Sequence, residues 1–338
     1  MNAVEALRAV QAGAHLEAEQ SAEVFGAVLR GEVEPLVLAG LLSALATRRE
    51  TVAELTGAAR AMRTHMVPFE HGCPDAIDTC GTGGDGLGTF NLSTAAALVA
   101  AAAGARVVKH GNRAATSRSG SADLLEAVGV RIELTPESAR EVLEQVGITY
   151  LHAPLYHPAM KHAGPVRRAL GIRTAFNLLG PLCNPGGVQR QLIGVADPTR
   201  REEVAAILEE LGTKRAMVVH GAGGADELTL AGENAASFAG DLGSFALDGR
   251  TLGLDGAPVA ALEGGDADHN AALLRRLLDG DGGPLRDALL YNAAAALVLA
   301  GIAHDALDGV QRAAEAVDSG AARDRLAQWA ALTEALAA

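Results

Sequence analysis

Residues 78–121 read DTCGTGGDGLGTFNLSTAAALVAAAAGARVVKHGNRAATSRSGS, and the succession of patterns within them decides the fold class. An apolar strand runs into a glycine-rich loop, a helix of small residues, a second strand and a basic loop crowded with hydroxyl groups. The first loop, residues 81–89, holds five glycines, so its backbone N–H groups can approach a ligand without intervening Cβ atoms. The helix behind it presents its positive N-terminus to the same place. The second loop gathers Lys109, His110, Arg113 and Arg118 among Asn112, Thr116, Ser117, Ser119 and Ser121. Two anion-seeking loops at the ends of neighbouring strands predict a phosphate-rich ligand.

Outward from this stretch the chain divides. Residues 1 to about 70 hold no strand pattern. Apolar residues recur at helical spacing in VEALRAVQAG, AEVFGAVLRG, VLAGLLSALATRRE and VAELTGAARAMRTHM, which predicts a module of about four helices. After Pro74 strands and helices alternate. Strands are expected at 76–80, 106–110, 130–134, 148–152, 189–195 and 215–220, with helices at 93–103, 121–128, 136–146, 157–170 and 199–211. Repeated strand–helix–strand units imply an α/β fold with a mostly parallel sheet covered by helices. Ligands of such sheets sit beyond the carboxyl ends of the strands, where both loops fall. Residues 171–187, GIRTAFNLLGPLCNPGG, are too rich in Gly, Pro and Asn for one regular element and read as a crossing between domains. Residues 231–262 read as a loose series of short strands and turns, and helical periodicity then returns to the C-terminus.

Composition narrows the function. The 338 residues carry a net charge of -13 and only 3% aromatics. That argues against nucleic-acid binding, which needs a broad basic surface or stacking platforms. Three cysteines, Cys73, Cys80 and Cys183, are widely spaced with no CxxC pair, the pattern of free thiols in a reducing cytoplasm. The N-terminus is charged and amphipathic, without a signal-peptide pattern, and the longest apolar run, residues 95–103, is too short to cross a bilayer.

The motif 81–86, GTGGDG, matches GxGxxG formally, but the second strand ends in Lys109-His110 where a dinucleotide fold needs an acid for the ribose. No Gly-Lys-Ser/Thr closes the loop, which excludes a P-loop. Asp85 would repel a bare pyrophosphate, and makes sense beside a metal ion or ribose hydroxyls. A third loop, 221–227, ends in Asp226-Glu227 at a strand's exit. Paired carboxylates there suit a hard cation such as Mg2+ that is shared with phosphate oxygens. A Mg2+-bound sugar diphosphate satisfies all three loops.

Four segments, GTGGDGLGTFNLSTAAA (81–97), KHGNRAATSRSGSADLLEAVG (109–129), YHPAMKHAGPVRRALGIRTAFNLLGPLCNP (156–185) and HGAGGADEL (220–228), closely resemble the signature segments of the anthranilate phosphoribosyltransferase family. With the helical N-terminus and GGDADHNAALLRRLLDG (264–280) the resemblance covers nearly the whole chain. Its motifs occur jointly and in order, although GTGGD alone is shared with nucleoside phosphorylases. The resemblance implies a small all-α domain, residues 1–70 joined by helices around 165–190, beside an α/β phosphoribosyltransferase domain, residues 71–338. It also implies a homodimer formed through the α-domain.

The implied reaction is transfer of the phosphoribosyl group from phosphoribosyl pyrophosphate (PRPP) to anthranilate, the second step of tryptophan biosynthesis, with Mg2+. Carried over by position, the PRPP site comprises Gly81, Gly84, Asp85, Thr89, Asn91, Leu92, Ser93, Thr94, Lys109, His110, Gly111, Asn112, Arg113, Ala114, Ala115, Thr116, Ser117 and Ser121. Anthranilate is placed near Gly81, Asn112, His157 and Arg167, with Arg167 rather than the adjacent Arg168 pairing with its carboxylate. Ser93, Asp226 and Glu227 resemble the metal ligands, and Lys109, Asn112 and Arg167 the catalytic set. Two departures are small: Cys80 stands for a more typical aliphatic residue, and Thr116 stands where Ser is common. The nearest rival is a nucleoside phosphorylase on the same scaffold, which KHGNR followed by SGSAD fits less well.

Overall fold

The computed structural model describes residues 1–114 and 117–337. Four helices come first: α1 Ala3–Gln11, α2 Ala18–Leu29, α3 Pro35–Arg48 and α4 Val52–His65. Their starts are written locally. Asn2 and Thr51 form capping boxes with Glu5 and Glu54, and Pro35 opens α3 where its missing N–H costs nothing. Between α3 and α4, Arg49 has φ 75°, a region that L residues rarely adopt. The turn is pinned from outside the helical module, since Arg200 donates to the Glu50 carboxylate at 2.6 Å with both residues buried.

The remainder alternates as expected: β1 Ile77–Gly81, α5 Leu92–Ala102, β2 Val107–Gly111, α6 Ser121–Ala127, α7 Pro136–Val146, β3 Ile148–His152, α8 Ala153–Tyr156, α9 Gly164–Leu170, α10 Ala175–Leu182, β4 Arg190–Gly194, α11 Arg201–Glu210, β5 Arg215–His220 and β6 Ala235–Gly240. Four helices close the chain: α12 Ala267–Leu278, α13 Pro284–Ala300, α14 Ala306–Asp318 and α15 Ala321–Ala337. The six strands form one sheet in the order β3-β2-β1-β4-β5-β6, parallel throughout except for β6, which runs antiparallel to β5 at the edge.

Two apolar cores follow. One packs α5 and α13 through alanine-lined faces, beneath β1–β3 and with α14 and α15 behind. Small side chains let these helices approach closely, so the alanine richness is packing. The other core joins Phe25, Leu41 and Leu55 of the helical module to Val166 of α9 and Phe176 and Leu179 of α10, and continues onto Ile193, Val218 and Ile207.

Three expectations are corrected. Residues 130–134 form no strand: Val130, Ile132 and Leu134 are buried in alternation, but the Arg131 N–H donates to Thr333 Oγ1 of α15 at 3.0 Å rather than to a ladder. The alternation was real, and the partner was a helix. The helix expected over 157–170 is broken by Pro158 and Pro165, each of which restarts the chain in a new first turn. The crossing at 171–187 contains the regular helix α10, whose Thr174 N–H is capped by Asn177 Oδ1 at 3.0 Å. Its T-x-x-N start outweighed the glycines and prolines around it.

Candidate active site

All three loops open at the carboxyl end of the sheet. β1 and β4 lie in register with Gly81 opposite Gly194, and the loop after β5 brings Asp226 across both. The fit leaves no room for side chains: a Cβ on Gly194 would lie 1.4 Å from the Asp226 carbonyl oxygen, and one on Gly81 would lie 2.4 Å from Asp226 Oδ2. The same Oδ2 accepts the Gly83 N–H at 2.7 Å, so the acid shapes the glycine loop. Asp85 in turn accepts the Leu87 N–H at 3.1 Å and the Asp226 N–H at 3.4 Å. Glu227 reaches the start of α5, where its Oε1 accepts the Ser93 N–H at 3.0 Å while its Oε2 is buried without a partner.

These carboxylates lie close enough to disturb one another. Burial first, then the Asp85 charge, pushes Asp226 up to about 6. Burial and the Asp226 charge push Glu227 well above its ordinary value. A site that raises neighbouring acids and leaves one buried oxygen unsatisfied fits a hard cation, which would relieve both strains. Among the described residues no three acidic, histidine or cysteine side chains converge on one point. A cation here would therefore draw further ligands from phosphate oxygens or water.

The second loop is fastened at both ends by Asp123, which accepts the Ala114 N–H at 2.9 Å and the Gly120 N–H at 2.8 Å. Asn112 is exposed, its own Oδ1 accepting the Arg113 N–H at 2.8 Å. The Arg113 guanidinium turns away from the loop's mouth to pair with Glu126 on α6. Ser117 is exposed, its hydroxyl 3.3 Å from the Ser119 carbonyl. Ala115 and Thr116 lie outside the described residues. Lys109 is 2% exposed, and its ammonium donates to the Thr79 carbonyl beneath the loops. Burial lowers its pKa, against the pull of Asp78, Cys80 and Glu227. Thr89 bridges to Glu263, and Leu92 and Thr94 are buried in the first turn of α5.

At the end of β2, where the second loop begins, the structure brings His110 and His157 together, their ring centroids 5.0 Å apart. Both are buried, and each has an Nε2 without a partner. Burial and the facing His157 hold His110 down at about 3, so its ring is neutral. Arg167 on α9 is half-buried with its guanidinium 5.3 Å from the centre of the Phe176 ring, whereas Arg168 is exposed. Among the described residues Arg167 meets no carboxylate within 4 Å.

Several supporting residues were not singled out from the sequence. Asn270 donates to Asn91 Oδ1 at 2.8 Å, while Asn91 donates to the Ser119 carbonyl at 3.1 Å, so the GGDADHN segment stitches α5 to the second loop. Asn184 donates to Asp78 Oδ2 and to the Val108 carbonyl, both at 2.8 Å, under the β1–β2 floor. Arg173, in the crossing segment, donates to the Gly83 carbonyl at 2.8 Å and ties that segment to the first loop. Asn184 and Arg173 fall inside a quoted signature segment. Their roles depend on distant partners that spacing alone does not disclose.

The model of the glycosyl transferase family α/β domain matches residues 73–323, and that of its helical bundle domain matches residues 4–66. An anthranilate phosphoribosyltransferase of Moorella thermoacetica is 46% identical over 331 residues, covering 97% of this chain and 98% of the relative. The crystal structure of anthranilate phosphoribosyltransferase from Thermus thermophilus superposes with a TM-score of 0.92 at 48% identity, covering 97% of this chain and 99% of that one. The Saccharomyces cerevisiae enzyme in complex with PRPP and Mg superposes at 0.89 with 26% identity, covering 99% and 98%. The chain belongs to the anthranilate phosphoribosyltransferase family.

Proposed function

We propose that this chain transfers the 5-phosphoribosyl group of PRPP to the amine of anthranilate, releasing pyrophosphate and N-(5-phosphoribosyl)anthranilate. The observation that carries this reading is Asp226 and Glu227 set against Asp85 and the glycine loop, with one carboxylate oxygen of Glu227 buried without a partner. Mg2+, when bound with PRPP, supplies charge neutralisation to the departing diphosphate.

The chain's own groups do the rest. Gly81, Gly84, Asp85, Thr89 and residues 91–94 line the PRPP site, and residues 109–117 with Ser121 wrap the diphosphate and the sugar phosphate. Ser93, Asp226 and Glu227 hold the cation, and Lys109 adds positive charge from beneath the floor. The anthranilate nitrogen lone pair forms the new bond to the anomeric carbon as the bond to the pyrophosphate oxygen breaks. A transition state of this kind gains most from leaving-group stabilisation and from alignment.

Alignment falls to Asn112 and Arg167. A half-buried guanidinium without an acid partner, stacked on Phe176, suits the anthranilate carboxylate. His157 neighbours the acceptor and His110 of the PRPP set lies beside it; burial lowers both pKa values, so both rings are neutral at pH 7. The attacking aromatic amine is uncharged at neutral pH and the adduct loses its proton readily, so no strong base is required.

Residues 1–70, joined by the helices around 165–190, form the α-domain in this reading, and residues 71–338 the α/β domain. The shared core of α9 and α10 with the first four helices supports that division. The protein works in the cytoplasm as a homodimer through the α-domain, a reading supported by Leu36 on α3, 88% exposed, and Val4 on α1, 41% exposed. The test is loss of anthranilate fluorescence on mixing with PRPP and Mg2+. Folded protein that leaves the fluorescence unchanged while cleaving a nucleoside with inorganic phosphate would favour the phosphorylase instead.

A further inference from the structure

Tyr150 lies on β3, in register with Lys109 of β2. It is 2% exposed, and its ring stacks on that of His152 with centroids 6.4 Å apart. Its hydroxyl lies 2.9 Å from Ser121 Oγ, its one polar partner among the described residues. Ser121 is the first residue of α6, and its Oγ also lies 3.3 Å from the carbonyl oxygen of Asn112, which accepts the Ala122 N–H as well.

Two hydroxyl protons and one free carbonyl lone pair admit one arrangement in which every proton is used. The Tyr150 O–H donates to Ser121 Oγ, and the Ser121 O–H donates to the Asn112 carbonyl. The reverse direction leaves the phenolic proton buried without an acceptor, which is costly. The space around this relay is closed: a Cβ at Gly111 would lie 2.4 Å from Ser121 Oγ and 2.8 Å from the Tyr150 hydroxyl. Glycine at 111 and tyrosine at 150 are therefore two halves of one fit.

We infer that Tyr150 is a positioning residue for PRPP, acting through Ser121. Its phenol fixes the Ser121 hydroxyl, and through it the Asn112 backbone, so that the second loop keeps its donors facing the sugar phosphate. The inference rests on the reading of Ser121 and Asn112 as substrate-binding residues. Phenylalanine at 150 would keep the buried ring and its stacking but release the serine rotor.

The test compares the wild type with Tyr150→Phe, Ser121→Ala and the double variant, using anthranilate fluorescence for turnover and calorimetric titration with Mg2+ and PRPP for binding. Tyr150→Phe is expected to raise KM and Kd for PRPP about fivefold, the worth of one ordinary hydrogen bond, while kcat and KM for anthranilate move less. The double variant is expected to bind PRPP no more weakly than Ser121→Ala alone, because the tyrosine acts only through the serine. A Tyr150→Phe enzyme with wild-type affinity for PRPP, or additive losses in the double variant, overturns the inference while leaving the proposed function standing. Wild-type protein that fails to bind PRPP at all overturns the function and the inference together. Should Tyr150→Phe melt early, Ser121→Ala probes the same link from its other end, and unchanged PRPP affinity there overturns it equally.

Discussion

The two walls of the cleft are built on different terms. On the proposed donor side the loops are pinned by side chains: Asp226 holds the glycine loop, Asp123 holds both ends of the second loop, and Asn270 locks Asn91. Glu227 on that wall stays raised despite the Lys109 charge, and its Oε2 has no partner. On the proposed acceptor side, among the described residues, His157 and its neighbour His110 from the PRPP set each keep one unpartnered Nε2, and half-buried Arg167 meets no acid. Under the proposed function, the glycine and basic loops form a phosphate site organised ahead of its substrate and cation, and the acceptor itself satisfies the second wall.

Removing the acids proposed to hold the cation should have the largest effect. Asp226→Asn with Glu227→Gln should lower turnover at least about a hundredfold, the scale of losing a principal electrostatic stabiliser. A melt by circular dichroism should show the fold intact. Turnover that follows the wild type across a Mg2+ titration would remove these residues from the metal site.

On the acceptor wall, Arg167→Ala should raise KM for anthranilate about tenfold, the worth of a charge-assisted hydrogen bond. Arg168→Ala, changing an exposed neighbour, should leave KM alone. Equal effects at the two arginines would erase the distinction that burial draws between them. Asn270→Ala should raise KM for PRPP about fivefold by freeing Asn91, with KM for anthranilate unmoved. A shift in the anthranilate constant instead would show that the walls are not separable.

The smallest effect is in pH. The folded protein holds the Asp226 carboxyl up at about 6, against an ordinary value of 3.8. It therefore favours the protonated form. The stabilisation this gives is complete below the ordinary value and is lost as pH rises through about 6. Mg2+ should replace it above that point, so the rise in Tm on adding Mg2+ with PRPP should be larger at pH 7.5 than at pH 5. Equal shifts at both values would detach Asp226 from the cation.

The donor wall was the more legible in sequence, because its chemistry is local. Glycines that must admit backbone or carboxylate, an acid pair at a strand's exit and a basic loop can each be read within ten residues. The alternating units after Pro74 likewise fixed the parallel sheet. The acceptor wall depends on which faces of distant elements meet. Periodicity places Arg167 on a helix, but only the fold sets it against Phe176 and leaves Arg168 in water. Lys109 shows the same limit from the other direction: its charge suggested a ligand contact, yet burial against Thr79 puts the ammonium beneath the site. The strand expected at 130–134 failed because alternation reports a buried face without saying whether a strand or a helix covers it.

In the proposed function these two walls join one ribosyl phosphate to one aromatic amine, with the donor wall dependent on a divalent cation. Phosphorus NMR of the enzyme with PRPP and anthranilate tests it most directly. One pyrophosphate should be released for each N-(5-phosphoribosyl)anthranilate formed with Mg2+ present, with no reaction in EDTA. Pyrophosphate released without the adduct, or adduct formed at full rate in EDTA, would contradict it.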